Sequence, residues 1–420
     1  MSRKRPLSES VVITGIGLIA SVGNDRETVW RAVREGRSSV RRLNDLPGIP
    51  DGLLIGAPVD MPLSTPDELK VLALAETAAA EALDDARLEH ARIRPDRFGC
   101  AISGHMGDTG WCVERAGLDH LYPPRTIPWW EQWLPNTACS QIANRYGLYG
   151  PRLCHSTACA SGLIEVLSAT RAIQDGQCDI ALAGSAEGFH SLFAAGFRQM
   201  RVLAHHDDPQ QACRPFDLGR QGFVMGEGAA MFVLERHSHA LARRAPIYAE
   251  VAGGRLLATA HHMTGLDLES DALAYLISEA LRVARIAPHE IGYISAHGTG
   301  TQQNDVAETR AIRQSMGRAA DSLCVSATKS ILGHLINAAG SVELAITALA
   351  MRDGFVPPTL NLTRPDPECD LDCIPLVGRQ NSFACALKLS VAFGGSLAAV
   401  VLRRPENARS GLGDPKLWAA

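Results

Sequence analysis

Three short stretches carry residues whose types and spacing could do chemistry. In Ser156-Thr157-Ala158-Cys159-Ala160-Ser161-Gly162 a cysteine stands directly before an expected helix, Leu163 to Gln174. Unpaired N–H groups and the positive end of the helix dipole favour a thiolate there. Small neighbours leave space around the sulfur, and the same N–H groups suit an oxyanion hole. Taken alone, Cys159 is either a nucleophile or a buried structural thiol. In His297-Gly298-Thr299-Gly300-Thr301 a histidine ends an apolar segment, Ile291 to Ser295, and opens a glycine-rich loop, a common placement for an active-site residue. The third stretch, Ser326-Ala327-Thr328-Lys329-Ser330-Ile331-Leu332-Gly333-His334, lies between a short strand and a long apolar helix, and keeps one of only five lysines in the chain. Asp305, Glu308 and Glu343 are available as anions, and equally as helix caps or surface charges. One Cys and two His in separate glycine-flanked loops fit thioester chemistry, in which the sulfur takes an acyl group and the imidazoles stabilise a carbonyl oxygen that gains charge. A hydrolase needs only one of the histidines, so the second His and the Lys call for a further step.

The elements that must position these residues alternate between β and α. Strands are expected at Val11 to Ala20, Arg97 to Ser103, Ile180 to Ala183, Ile247 to Gly253, Ile291 to Ser295 and Val325 to Ser326, with two more inside Asn381 to Val401. Helices are expected at Leu69 to Leu83, Leu163 to Gln174, Asp271 to Val283, Asp305 to Ser315 and Ile336 to Met351, and a turn at Gly184 to Gly188. Residues 105–150, with Trp129, Trp130 and Trp133, suggest a long structured excursion. This alternation, with nearly uninterrupted apolar strands, points to an α/β class with a sheet buried on both faces.

Composition narrows the function classes. The 420-residue chain has a formal net charge of -4 and 46% hydrophobic residues, which argues against an electrostatic nucleic-acid binder. No run is long and apolar enough to span a membrane, and Met1 to Ser10 lack the apolar core of a signal peptide. The eleven cysteines include no CxxC, and Cys369 and Cys373 lack matching ligands for a metal, so reduced thiols in the cytoplasm are expected. Gly15-Ile16-Gly17 lacks a correctly spaced third glycine for a dinucleotide fingerprint and reads as turn glycines. Neither a P-loop nor a G-x-S-x-G elbow occurs.

The strings around Cys159, His297 and Lys329 to His334 resemble the elongating β-ketoacyl-[acyl-carrier-protein] synthases, the ketosynthases of type II fatty-acid and polyketide synthesis. Supporting strings are Arg214-Pro215-Phe216-Asp217, Gly222 to Gly228, Asn381-Ser382-Phe383 and Phe393-Gly394-Gly395, so the likeness runs from about Val11 to Leu402. The resemblance implies a thiolase-like fold, a five-layered α-β-α-β-α core built from two similar halves. The first half, residues 1–245, would carry the nucleophile; the second, 246–405, the two His and the Lys; 406–420 would be a loosely held tail. By this likeness Cys159 accepts the acyl group, His297 and His334 bind the extender's thioester carbonyl, and Lys329 holds the local electrostatics with Glu343. The N–H groups of Cys159 and Phe393 would form the oxyanion hole, with Phe393 as a gate, Phe223 beside the entry, and Thr299, Thr301, Gly394 and Gly395 in support.

The implied reaction is a decarboxylative Claisen condensation of the Cys159-bound acyl group with malonyl-[acyl-carrier-protein]. It needs no metal and no tightly bound cofactor, because the phosphopantetheine arm arrives on the carrier. The implied partners are an acyl carrier protein, which Arg198 and Arg201 could meet, and a second copy of the chain or a chain-length-determining subunit. Ala160, Ala392 and Ser396-Leu397 depart from the common pattern, and the run Gln302-Gln303-Asn304-Asp305 leans toward the polyketide branch. A specialised polyketide or polyene ketosynthase is therefore an alternative, and a non-catalytic binding or scaffold subunit of this fold is a second. A thiolase would need another cysteine in the segment Phe393 to Leu397, and an inactive partner subunit would lack Cys159.

Overall fold

The structure, a computed structural model, describes residues 9–405 except 45, 47–48, 66–67, 89–92, 105–130, 133 and 269. Trp129, Trp130, Trp133 and the expected tail at 406–420 lie outside the described residues.

Ten strands build the core. They are β1 (Val11–Ala20), β2 (Phe98–Ser103), β3 (Arg152–Leu153), β4 (Ile180–Glu187) and β5 (Gly228–Arg236), then β6 (Ala249–Ala258), β7 (Ile291–Ser295), β8 (Cys324–Ser326), β9 (Cys385–Val391) and β10 (Ser396–Arg403). Their spatial order is β8-β7-β9-β10-β6-β1-β5-β4-β2-β3. Counted outward from the centre, each set of five runs first, fifth, fourth, second, third in chain order. In both sets the two inner pairings are antiparallel and the two outer pairings parallel. The halves join where Val12 and Ile13 of β1 pair with Glu250 and Ala249 of β6. Two similar halves are thus visible in strand order and direction.

Helices complete the layers. α1 (Lys70–Asp85) packs on β1 and β5 at one outer face. α2 (Thr137–Tyr146) lies against β2. α3 (Ser161–Gln174) and α6 (Ala339–Asp353) pack on each other between the halves. α4 (Ala272–Ala284) covers β6 and β10 at the other outer face, with α5 (Gln302–Met316) beside it. The uninterrupted apolar run of β1 is explained by this sandwich, since all ten of its residues are buried.

Two local expectations are corrected. Gly15 and Gly17 are strand residues, not turn residues: a Cβ on them would stand 2.2 Å from Ala82 O and 1.8 Å from Ala78 O. Their lack of a side chain lets α1 lie close on β1. The turn expected at Gly184 to Gly188 is the second half of β4 as far as Glu187, paired antiparallel with β5. Pairing to a distant strand there overrides local turn propensity.

Candidate active site

Parallel strands deliver the second-half residues to one edge. β7 runs parallel to both β8 and β9. The chain leaving them carries His297 after β7, Lys329 after β8 and Phe393 after β9, in the crevice where parallel strands end. The loop after β7 is fixed by Glu308 of α5, which accepts from the N–H groups of His297 (2.5 Å) and Gly298 (2.8 Å). Asp305 accepts from the N–H groups of Phe216 (2.8 Å) and Gly300 (3.2 Å). Gly298 at φ 40° and Gly300 at φ 78° turn the loop where a side chain would be strained.

The first half contributes the sulfur. Cys159 sits in a single 3-10 turn, Ala158–Ala160, that runs straight into α3. Ala158 holds φ 47°, the left-handed region. Ser161 locks this elbow: its Oγ accepts from Thr157 N–H (2.9 Å) and donates to Ala158 O (2.8 Å).

Folding brings Cys159, His297 and His334 together, with one ligating atom of each within 4.8 Å of the others. His334 Nε2 lies 3.1 Å from Cys159 Sγ, and the two imidazole rings are 5.4 Å apart at 84°. Both tautomers follow from the other ring nitrogen. His334 Nδ1 accepts from Ile336 N–H at 3.2 Å, and His297 Nδ1 faces Lys329 Nζ at 3.4 Å. Each ring therefore carries its proton on Nε2 and presents a donor to the site. Two protonated ring nitrogens beside buried ammonium groups are unsuited to a cation, so this donor set does not fit a metal ion.

Electrostatics reinforce that reading. Burial, then Lys329, holds His297 and His334 well below the usual imidazole value, with Lys388 acting in the same direction. Both are neutral donors at pH 7. The thiolate expected at Cys159 is corrected. Burial pushes the thiol up to about 12, against the pull of Lys329 and of hydrogen bonds from the backbone N–H groups of Phe393 and of Cys159 itself. Desolvation outweighs the helix terminus here.

Behind His297, Lys329 Nζ donates to His297 O and to Glu343 Oε1, both at 2.6 Å. The expected Lys329–Glu343 pair is therefore formed, and it is fully buried. A residue missed in the sequence completes it: Lys388 Nζ lies 2.5 Å from Glu343 Oε2. A lone lysine inside the apolar strand β9 was a signal of the same kind as that of Lys329.

A cavity of about 670 Å³ opens onto the three side chains. Phe223, Thr299, Thr301, Phe393 and Gly395 line it, with Arg201 among the lining residues. The Phe223 ring packs edge-on to His334 at 5.1 Å, and Phe197 bridges Phe223 (5.3 Å) to Phe393 (6.2 Å). Thr299 and Thr301 join their hydroxyls at 2.8 Å. Gly394 and Gly395 both hold φ 81°, and a Cβ on Gly395 would meet Thr259 O at 2.2 Å. Cys369 and Cys373, which the sequence set aside as a metal pair, are buried free thiols, and no disulfide joins any of the ten described cysteines. Among the described residues no helix is long and apolar enough to cross a membrane.

Comparison with known proteins agrees with this geometry. Residues 67–240 match the family described as "Beta-ketoacyl synthase, N-terminal domain" and residues 248–363 its C-terminal domain. The chain is 37% identical to the tetracenomycin polyketide synthase ketoacyl synthase alpha subunit of Streptomyces glaucescens, over 97% of this chain and 100% of that one. It is 36% identical to 3-oxoacyl-[acyl-carrier-protein] synthase 2 of Coxiella burnetii, over 94% and 98%. Among solved structures it is similar to a type II PKS acyl-carrier protein in complex with its ketosynthase bound to the hexaketide (TM-score 0.87, 33% identity, 95% of this chain and 100% of that chain). It is also similar to the ishigamide ketosynthase/chain length factor (TM-score 0.85, 32% identity, 95% and 100%). With a Cys-His-His cluster at the edge of two matching α/β halves, the chain belongs to the β-ketoacyl synthase family.

Proposed function

We propose that the protein condenses an acyl group held on Cys159 with malonyl-[acyl-carrier-protein], releasing CO2 and a β-ketoacyl carrier. The observation that carries this reading is the pair of neutral Nε2–H donors beside one buried sulfur in a single cavity. In the first step the Cys159 sulfur displaces the carrier thiol from its thioester, and the cysteine proton leaves with that thiol. The N–H groups of Cys159 and Phe393, already directed at the sulfur, stabilise the tetrahedral oxyanion. In the second step the malonyl C–C bond breaks and CO2 departs. The electron pair passes to the thioester oxygen, held by His297 and His334. The enolate carbon then attacks the acyl-cysteine and expels its sulfur, which takes up a proton from solvent. Decarboxylation generates the carbanion, so neutral donors suffice where a strong base would otherwise be needed.

Lys329 with Glu343 positions His297; Phe393 gates the cavity, Phe223 flanks the phosphopantetheine entry, and Thr299 and Thr301 meet the arm. Gly394 and Gly395 give the Phe393 loop its turn. Arg201, at the cavity, and Arg198, on the helix Ser191–Gln199, meet an acidic carrier protein. The chain divides functionally at about residue 245, with the nucleophile before it and the donors after it. The names of the polyketide relatives support a specialised polyketide substrate, and the ketosynthase/chain length factor neighbour supports pairing with a second subunit.

Intact mass after incubation with an acyl-carrier protein tests the reading. An acyl adduct on the wild type and none on Cys159→Ala is expected. No adduct on the wild type, or one that survives the substitution, overturns it.

A further inference from the structure

Lys388 is a buried charge that the chemistry above does not use. It is fully buried in β9, and its Nζ donates to Leu389 O at 2.6 Å and Ala296 O at 3.0 Å while pairing with Glu343 Oε2 at 2.5 Å. Sheet register places it there, since Lys388 stands opposite Ser295, two residues before His297. Glu343 thus lies between two ammonium groups, Lys329 on Oε1 and Lys388 on Oε2. Glu343 is the one carboxylate in contact with both ammonium groups, and Glu308 is a further buried carboxylate that acts on Lys388. During decarboxylation a negative charge moves from the malonyl carboxylate to the thioester oxygen beside His297 and His334, in front of this cluster.

Resting on the ketosynthase reading, we propose that Lys388 is a positioning residue: its ammonium anchors Glu343 and the Ala296 carbonyl behind His297 and adds to the positive charge that the forming enolate meets. Lys388 exchanges no proton with substrate in this role. The charged groups acting on it are Glu343 of α6, Lys329 and Glu308 of α5. Burial brings its ammonium down to about 8, with Glu343 opposing and Lys329 reinforcing that shift. The sign of the pH effect follows: below pH 8 Lys388 is an ammonium, and as pH rises through 8 it becomes neutral and its positive charge is lost.

The test is the pH dependence of malonyl-carrier decarboxylation for the wild type, Lys388→Met and Lys388→Arg. The wild-type rate is expected to fall about tenfold above a midpoint near pH 8. Lys388→Met should lie about tenfold lower at pH 7 and show no alkaline limb, and Lys388→Arg should stay active beyond it. Profiles of wild type and Lys388→Met that superimpose, with only the melting temperature changed, overturn the proposal. Should the variants not fold, [13Cε]lysine spectra of the wild type decide it, because the chain has only five lysines. One lysine resonance that titrates with the midpoint of the alkaline limb of the wild-type decarboxylation profile supports the proposal, and a limb that no lysine resonance follows overturns it. The acyl adduct on Cys159 is measured separately, so failure of the ketosynthase reading is distinguishable from failure of the Lys388 role.

Discussion

The turn Ala158–Ala160 that enters α3 and the turn Ile336–Ala338 that enters α6 share one backbone pattern. Each opens on a non-glycine residue in the left-handed region, Ala158 at φ 47° and Ile336 at φ 40°. Each helix has glycine as its second residue, Gly162 and Gly340, where the two helices touch. Each has a buried glutamate as its fifth, Glu165 and Glu343. At the middle of the turn the halves part. Cys159 faces the cavity, whereas Asn337 donates to Ala186 O (2.9 Å) and meets Ser103 Oγ (2.9 Å) in the interior. The glutamates part as well: Glu165 meets His155, whose side chain is 38% exposed, and Glu343 meets two fully buried lysines. A repeated scaffold offers two equivalent perches. One holds a reactive atom at the cavity; the other buries a charge network that serves it.

This comparison can be broken at each matched pair. The largest difference is expected at the glutamates. Glu343→Gln removes the carboxylate charge that two buried ammonium groups both contact and should cost about 3–5 kcal/mol of stability. Glu165→Gln keeps one acceptor oxygen but loses the charge and the second oxygen that hold His155, and should cost about 1–3 kcal/mol. Chemical denaturation of both variants measures the gap, and equal losses would mean the two carboxylates do the same work. At the glycines, a Cβ on Gly162 would stand 2.5 Å from Ser341 N, while one on Gly340 would stand 3.0 Å from Leu163 N. Gly162→Ala is therefore expected to cost about 1–3 kcal/mol and Gly340→Ala less, since both contacts are with backbone and the first is the closer. The reverse order would sink the idea that the helix crossing is tighter on the α3 side.

The smallest effect is at His155. Its hydrogen bond to Glu165 raises the imidazole above the usual 6.5. The resulting stability is fully present below that value and is lost as pH rises through the raised one. Melting temperatures should show His155→Ala more destabilising at about pH 5.5 than at about pH 9, by a margin reduced because the ring is partly exposed. A loss that does not vary with pH would show that the contact contributes by packing alone.

How much of this was legible before folding differs from residue to residue. Cys159, His297, Lys329 and His334 announced themselves through small and glycine-rich neighbours, because reactive atoms need bare backbone around them. Ile291–Ser295 was legible to the residue, since an apolar run bounded by polar loops has few other uses. The strand through Gly184 to Glu187 was not, because its pairing partner lies more than forty residues away in β5. Lys388 was not assigned, because its distance to Glu343 depends on how α6 packs against β9.

The sequence by itself determined which side chains could react, and which local turns would hold them. The tertiary structure decided their protonation. A helix start favours a thiolate and a free imidazole titrates near neutrality, but burial reverses the first and lowers the second. Desolvation is a property of everything packed around a group, drawn here from both halves of the chain, and no local run of residues specifies it.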